Sequence, residues 1–330
     1  MRGSGELIAV CQDSLLRAHI LTTQDGQTWE IGEPSGIGAK DPNHVTMVTS
    51  IVEGSDGTLV IVGAEALDDM SSGEAAAWSS RDGMEWRRAP GSGSFEDGKM
   101  MAVVASTDGY LAVGADGFPG ASVQLPGLRA PAVWRSTDAT TWTRTSLPRG
   151  ADRTLLEGVA PAAGGWAAWG GGPNPGSGAV WTSTDGDAWS LSANPAGARW
   201  GPIGRIVAAQ DGSLVAVGSR RREGGDSLPG IWRSGDGGVT WVPVDLADAP
   251  GQGALWDVVA TSGGLLATGA QGRVVASPDG SNWSLEPAIP PMPNVTMRLL
   301  ISIAGSVVAF GSIDSEDATT AGIWRRDAGT

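Results

Sequence analysis

Chemistry in this sequence would rest on a few charged and aromatic side chains set among small and apolar ones. Short apolar segments recur as Leu59-Val60-Ile61-Val62-Gly63, Leu111-Ala112-Val113-Gly114, Leu214-Val215-Ala216-Val217-Gly218 and Val307-Val308-Ala309-Phe310-Gly311. Aligning the repeats on the closing glycine, the segment ahead of each supplies one column: Ser50, Ala102, Gly158, Arg205, Asp257 and Arg298. Three successive repeats thus place Arg, Asp and Arg at one level, and the preceding column adds Glu157 and Trp256. Charges on interior strands are costly unless they are paired or face a ligand. Pairing predicts a salt-bridge ladder between repeats, the reading that the usual fate of buried charges favours. The ligand reading makes Arg205 and Arg298 the holders of a carboxylate, with Trp256 stacking on a sugar or other ring. On neither reading is a catalytic residue assigned. The alternative is hydrolysis of a glycoside, for which Glu157 and Asp257 are the best carboxylate pair.

The elements that position these residues are short strands. The chain has 330 residues with 51 Gly and 20 Pro, 18% charged and 41% hydrophobic, a balance that suits many strands joined by tight turns. The net charge of -14 repels a phosphate backbone, so no nucleic-acid partner is expected. No apolar run reaches the roughly 20 residues of a membrane span, and no membrane insertion is expected. The opening MRGSGELIAVCQ lacks the apolar core of an export signal. The single cysteine, Cys11, has no disulfide partner and, with His19 and His44, makes no zinc site of the usual kind. No metal and no cofactor are expected.

One motif recurs along nearly the whole chain. It runs Ser or Thr, any residue, Asp, usually Gly, and then Trp. The copies are Thr23-Gln24-Asp25-Gly26 with Trp29, Ser80-Arg81-Asp82-Gly83 with Trp86, Ser136-Thr137-Asp138 with Trp142, and Ser183-Thr184-Asp185-Gly186 with Trp189. Ser234-Gly235-Asp236-Gly237-Gly238 with Trp241 and Ser277-Pro278-Asp279-Gly280 with Trp283 complete the set. Successive aspartates lie between 43 residues (Asp236 to Asp279) and 57 residues (Asp25 to Asp82) apart, one four-stranded unit per copy. The motif has the chemistry of a turn: hydroxyl and carboxylate bond nearby backbone groups, glycine admits positive φ, and tryptophan packs beneath the hairpin. An aspartate repeated once per unit is not a unique catalytic acid.

These residues resemble the Asp-box, or BNR repeat, of sialidases, sortilin-type receptors, some glycoside hydrolases and a photosystem assembly factor family. The resemblance covers nearly the entire chain and is fullest at Ser234 to Trp241. It implies an all-β fold, a β-propeller of four-stranded antiparallel blades with Asp-box hairpins, spanning residues 1–330 as one domain. The ends supply second to fourth strands at the N-terminus and first to third strands from about Thr296. This predicts seven blades with incomplete first and last members; six blades, as in sialidases, is the alternative. A sialidase proper is not expected, since the only tyrosine, Tyr110, opens a second strand and the family's Arg-Ile-Pro signature is absent.

Of 15 tryptophans, six sit in the boxes, and Trp78, Trp134, Trp181, Trp232 and Trp324 recur on third strands as a second packing layer. Trp200 and Trp256 fall outside both columns and are the tryptophans expected at a ligand. Arg220-Arg221-Arg222, Asp68-Asp69 and Asp314-Ser315-Glu316-Asp317 read as solvated loops. The longest connections, among them Ala64 to Glu74, Ala115 to Ala130 and Ser219 to Pro229, are placed on one face, where recognition usually lies. The functional expectation is a non-catalytic binding or scaffold propeller with a protein or glycan ligand, monomeric, extracellular or cell-surface with a cytoplasmic location as the alternative. A glycoside hydrolase is the competing reading.

Overall fold

The computed structural model describes residues 5–13, 15–38, 41, 43–69, 72–117, 130–147, 155–172, 176–193, 199–221, 227–246, 253–286, 292, 294–303, 305–315 and 319–326. Their strands pair into seven antiparallel sheets, the blades of a seven-bladed β-propeller. The first blade (Leu7–Gln12, Ala18–Thr23, Glu30–Gly32) and the last (Val295–Ile303, Ser306–Asp314, Thr319–Arg326) have three strands among the described residues. The five between have four, in sequential order. Chain contacts divide the protein into two compact units, Met1–Val159 and Ala160–Thr330.

Within the first unit, blade two illustrates the plan. Its strands are His44–Glu53, Leu59–Leu67, Gly73–Ser80 and Arg87–Arg88. The second strand is buried from Leu59 through Ala66 without alternation, because both of its faces meet neighbouring sheets. Val60, Val62 and Ala77 pack with Met100, Trp134 and Trp142 of blade three, whereas Leu59, Ile61, Trp78 and Trp86 pack with Ile20 of blade one. In the second unit the same logic joins Trp169 to Trp200, Trp232 and Trp241, then Val217 and Ile231 to Leu255 and Val275, then Leu266 to Met297 and Leu300. Strands run further than the sequence suggests. The expected loop Ala64 to Glu74 is largely hairpin, and Arg220 and Arg221 extend the strand Leu214–Arg221 rather than sitting in an insertion. Residues 118–129 and 222–226, within two of the expected recognition loops, lie outside the described residues, as do Glu316 and Asp317.

The repeated Ser/Thr-x-Asp turns share a hydroxyl-to-carboxylate bond, from Thr23, Ser80, Ser136, Ser183, Ser234 and Ser277, within small backbone networks. In blade two Ser80 Oγ donates to Asp82 Oδ1 and accepts from Gly83 N, Asp82 Oδ1 also accepts from Met84 N and Glu85 N at 2.8 Å each, and Trp86 Nε1 donates to Gly83 O. Asp185 and Asp279 repeat it in the second unit. Gly83 has φ +81°, and in blade three Ala139 takes the left-handed conformation instead, at φ +62°. The carboxyl of Asp82 is held below its ordinary pKa by the Glu85 and Met84 amides, and that of Asp185 by the Ala188 and Asp187 amides. These aspartates are consumed by the turn.

A second repeated feature sets up the candidate site. The first strand of a blade carries a one-residue bulge opposite the glycine of the second strand, between Val48 and Ser50, Met100 and Ala102, Ile203 and Arg205, Leu255 and Asp257, and Met297 and Leu299. The bulge swings a first-strand carbonyl into the space a side chain would take. A Cβ on Gly63 would lie 1.9 Å from Met47 O, on Gly218 2.4 Å from Pro202 O, and on Gly311 2.0 Å from Thr296 O. The recurrent glycine is there to admit that carbonyl.

Candidate functional site

The bulges fix which side chains share a level. Arg205 pairs with Val217, Asp257 with Thr268 and Leu299 with Phe310, each one step beyond the glycine pairing. Arg298 therefore belongs with Trp256 and Gly204 at the unpaired bulge position, not with Arg205 and Asp257 as the sequence alignment has it. The turn between first and second strands differs in length among blades, so counting back from the glycine slips by one residue in blade seven.

In the second unit the structure brings Arg205, Trp256, Asp257 and Arg298 onto the first strands of blades five, six and seven, which lie side by side. Gly204 makes the close approach possible: a Cβ there would fall 2.3 Å from Trp256 O. Asp257 is 2% exposed. Its Oδ1 accepts from its neighbour Val258 N at 2.9 Å and faces Arg205 Nε at 3.5 Å, while Oδ2 accepts from Leu300 N of blade seven at 2.6 Å. Burial raises its pKa to about 6, against the opposing pull of the Arg205 charge and the two amides. The carboxylate thus links three strands.

The same register position does the same work in the first unit, where Ser50 Oγ accepts Val103 N of the next blade at 3.3 Å. A side-chain acceptor at this level latches one blade to the backbone of the next. Arg205 has no acceptor to offer, so Asp257 satisfies the Val258 amide itself and takes Arg205 as an ion-pair partner.

Both guanidinium groups face outward. Arg205 has a side chain 46% exposed and Arg298 is exposed. The Arg298 guanidinium carbon stands 5.1 Å from the centroid of the Trp256 ring, a cation–π contact that covers one face of the indole. Trp256 Nε1 is buried with no hydrogen-bond partner among the described residues.

Glu157 sits in the first unit, on the strand Leu156–Ala162, and is exposed. The protein around it still displaces enough water to push its carboxyl above the ordinary value. Trp200, expected near a ligand, is instead core: it is 3% exposed and stacks on Trp232 at 4.4 Å and edge-on to Trp241 at 5.6 Å. Its strand places it beside a second-strand and third-strand tryptophan layer that the sequence position alone does not reveal. Tyr110 packs against Trp142 and donates to Thr58 O at 3.4 Å, with burial raising its pKa. A polar depression of about 790 Å³ at the turn end of blades two and three holds none of the candidate residues. Among the described residues no group of three or more His, Cys, Asp or Glu side chains is disposed to hold a metal ion. No helix is long and apolar enough to cross a membrane among the described residues.

No family model matches the chain, and no curated protein matches it. Solved structures do. A YCF48 protein bound to a D1 peptide superposes with TM-score 0.56 at 13% identity, over 95% of this chain and 86% of that one. The α-L-arabinofuranosidase Arb93A of Fusarium graminearum, complexed with an iminosugar inhibitor, gives TM-score 0.51 at 15% identity, over 88% and 96%. The α-L-arabinanase of Penicillium chrysogenum, complexed with arabinobiose, gives 0.52 at 13% identity, over 99% and 91%. At these identities the likeness is one of fold, and it extends to both binding proteins and glycoside hydrolases.

Proposed function

We propose that this chain is a non-catalytic binding propeller of the Asp-box group, displayed outside the cell and taking a protein or glycan ligand that bears a carboxylate. Arg205 and Arg298 are the contact groups. The observation that carries this reading is the engagement of Asp257: both carboxylate oxygens are occupied by backbone amides and Arg205, and the group is 2% exposed. A carboxylate so engaged is a poor general base, since a base must reach the proton it removes. The guanidinium groups beside it are pre-positioned, one by an ion pair and one by the Trp256 ring. They offer outward N–H donors suited to a carboxylate fork. The buried Trp256 N–H without a protein acceptor gives a ligand oxygen or a bridging water a defined place.

Six turns with a shared hydroxyl-to-aspartate hydrogen bond support membership of the Asp-box group. Binding is tested by presenting peptide and glycan arrays to the wild type and to Arg205→Ala and Arg298→Ala. Loss of carboxylate-bearing hits in both variants, with unchanged melting temperature, is the expected result. Glycoside hydrolysis keeps one specific support, the raised pKa of Asp257, a property of general acids. Hydrolysis of chromogenic glycosides by the wild type would reveal it.

A further inference from the structure

Box turns of the second unit rest on a seat shared with the blade before. In blade six a Cβ on the box residue Gly280 would meet Leu265 of its own second strand at 3.2 Å, and Val215 and Arg233 of blade five at 2.8 and 3.9 Å. In blade five a Cβ on Gly238 would meet Leu214 at 3.4 Å, and Ala167 and Thr182 of blade four at 3.6 and 2.9 Å. The box tryptophan packs beside that contact, Trp283 with Val215 and Leu265 and Trp241 with Ala167 and Leu214. Ala167 with Thr182, Val215 with Arg233 and Leu266 with Ala276 are equivalent cross-strand pairs. One blade further on, the seat is therefore made by Leu266 and Ala276 of blade six with Val307 of blade seven, and these three line a cavity of about 350 Å³.

Blade seven departs from the motif at this point. Where the other turns have a hydroxyl and an aspartate, it has Arg326 and Ala328, which make no hydroxyl-to-carboxylate bond. The rim of the cavity is charged instead: Arg326 Nη1 pairs with Glu286 Oε2 at 2.8 Å. Glu286 stands where blade five has Val244, since Glu286 N donates to Val274 O as Val244 N does to Ile231 O. Val244 belongs to the apolar surroundings of Trp283, so the exchange puts an acceptor beside the place of the ring. Among the described residues no strand pairs with the outer edge of Thr319–Arg326, and Ile323, at the position of Val274 and Ile231, is 56% exposed.

We propose that this cavity receives the indole of a tryptophan carried by an extended segment of a partner protein, which adds to the outer edge of Thr319–Arg326 as a fourth strand does in the preceding blades. The chain's own repeats identify the occupant, because the equivalent seats in blades five and six take a turn with a buried tryptophan. Within a box the indole N–H is satisfied by the turn itself, as Trp283 Nε1 donates to Gly280 O at 3.0 Å. A ring from another segment brings no such carbonyl. Glu286 takes its place, with carboxylate lone pairs left beyond the bond to Arg326, and this selects tryptophan over phenylalanine. None of Arg205, Trp256, Asp257 and Arg298 lines the cavity, so it is a second site.

The test is fluorescence anisotropy of a fluorescein-labelled peptide titrated with the full chain, the peptide copying residues 277–286 around Trp283. Saturable binding of one peptide per chain is expected, weakened by about tenfold or more when alanine replaces the peptide tryptophan, and by less when phenylalanine does. Ala276→Phe, which fills the cavity, should abolish binding. Glu286→Leu should bind the tryptophan and phenylalanine peptides alike. Melting temperatures near that of the wild type establish that both variants fold. No binding by the wild type, binding unchanged in a folded Ala276→Phe, or a preference for tryptophan that survives Glu286→Leu would overturn the proposal.

Discussion

The Asp257 carboxylate accepts the backbone N–H of Leu300 at 2.6 Å, reaching from the first strand of blade six to the first strand of blade seven. Removing it leaves that amide, the Val258 amide and the Arg205 charge without their acceptor. Asp257→Ala should therefore cost about 3 kcal/mol, the usual loss for orphaning buried partners of a charged group. Arg205→Ala should cost less than about 1 kcal/mol, because its half-exposed side chain is screened by water. Urea denaturation of both variants checks the contrast.

Burial holds the Asp257 pKa at about 6 in the folded protein, above the roughly 3.9 of an aspartate in an unfolded chain. Between these values the folded state keeps a proton that the unfolded state has released, so stability declines as pH rises through that interval. Glu157 is raised as well and contributes in the same sense. Asp257→Asn should shrink the decline between about pH 4 and 6. The turn aspartates Asp82, Asp185 and Asp279 act oppositely: their lowered values contribute stability above the unfolded pKa, and it is lost as pH falls through the folded one. Urea midpoints measured across the acid range separate the two windows.

The bulge glycines are a matter of space and the turn glycines a matter of conformation. Gly63→Ala would set a Cβ 1.9 Å from Met47 O, and Gly218→Ala 2.4 Å from Pro202 O, so the ladder must break. Each is expected to lose several kcal/mol, about 3 or more, as a severe core clash does. At Gly57, φ is +79° and nothing lies within 4 Å, so alanine there should cost only about 1–2 kcal/mol of backbone strain. Thermal denaturation of the three variants ranks them.

Ser80 and Asp82 bond to each other as well as to the backbone of one turn. Ser80→Ala should cost about 1–2 kcal/mol, comparable to losing a helix cap, and Asp82→Ala should destabilise the same turn. The double variant should fall short of their sum, because the two side chains share an interaction. A double-mutant cycle in urea gives the coupling.

Much of the fold is legible in the sequence because its signals are periodic. The Ser/Thr-x-Asp turn and the tryptophan that follows recur in six of the seven blades, and the strands left over at the two ends of the chain supply the seventh. The site is less legible. Arg205, Asp257 and Trp256 stand out as polar or aromatic intruders on apolar strands, but register decides what they do. Arg298 slips by one position because the turn between first and second strands is shorter in blade seven than in blade five. Trp200 shows the other limit: burial by a neighbouring blade is a property of packing across the ring of sheets, not of the strand that carries the residue.

Ligand binding through Arg205 and Arg298 requires that Asp257 only hold the blades together. The deciding measurement is a side-by-side assay of carboxylate-bearing peptide and glycan binding and of chromogenic glycoside turnover, with wild type, Arg298→Ala and Asp257→Asn. Binding lost in Arg298→Ala and kept in Asp257→Asn, with no turnover by any of them, is the predicted result. Turnover by the wild type that vanishes in a cooperatively folded Asp257→Asn would contradict it.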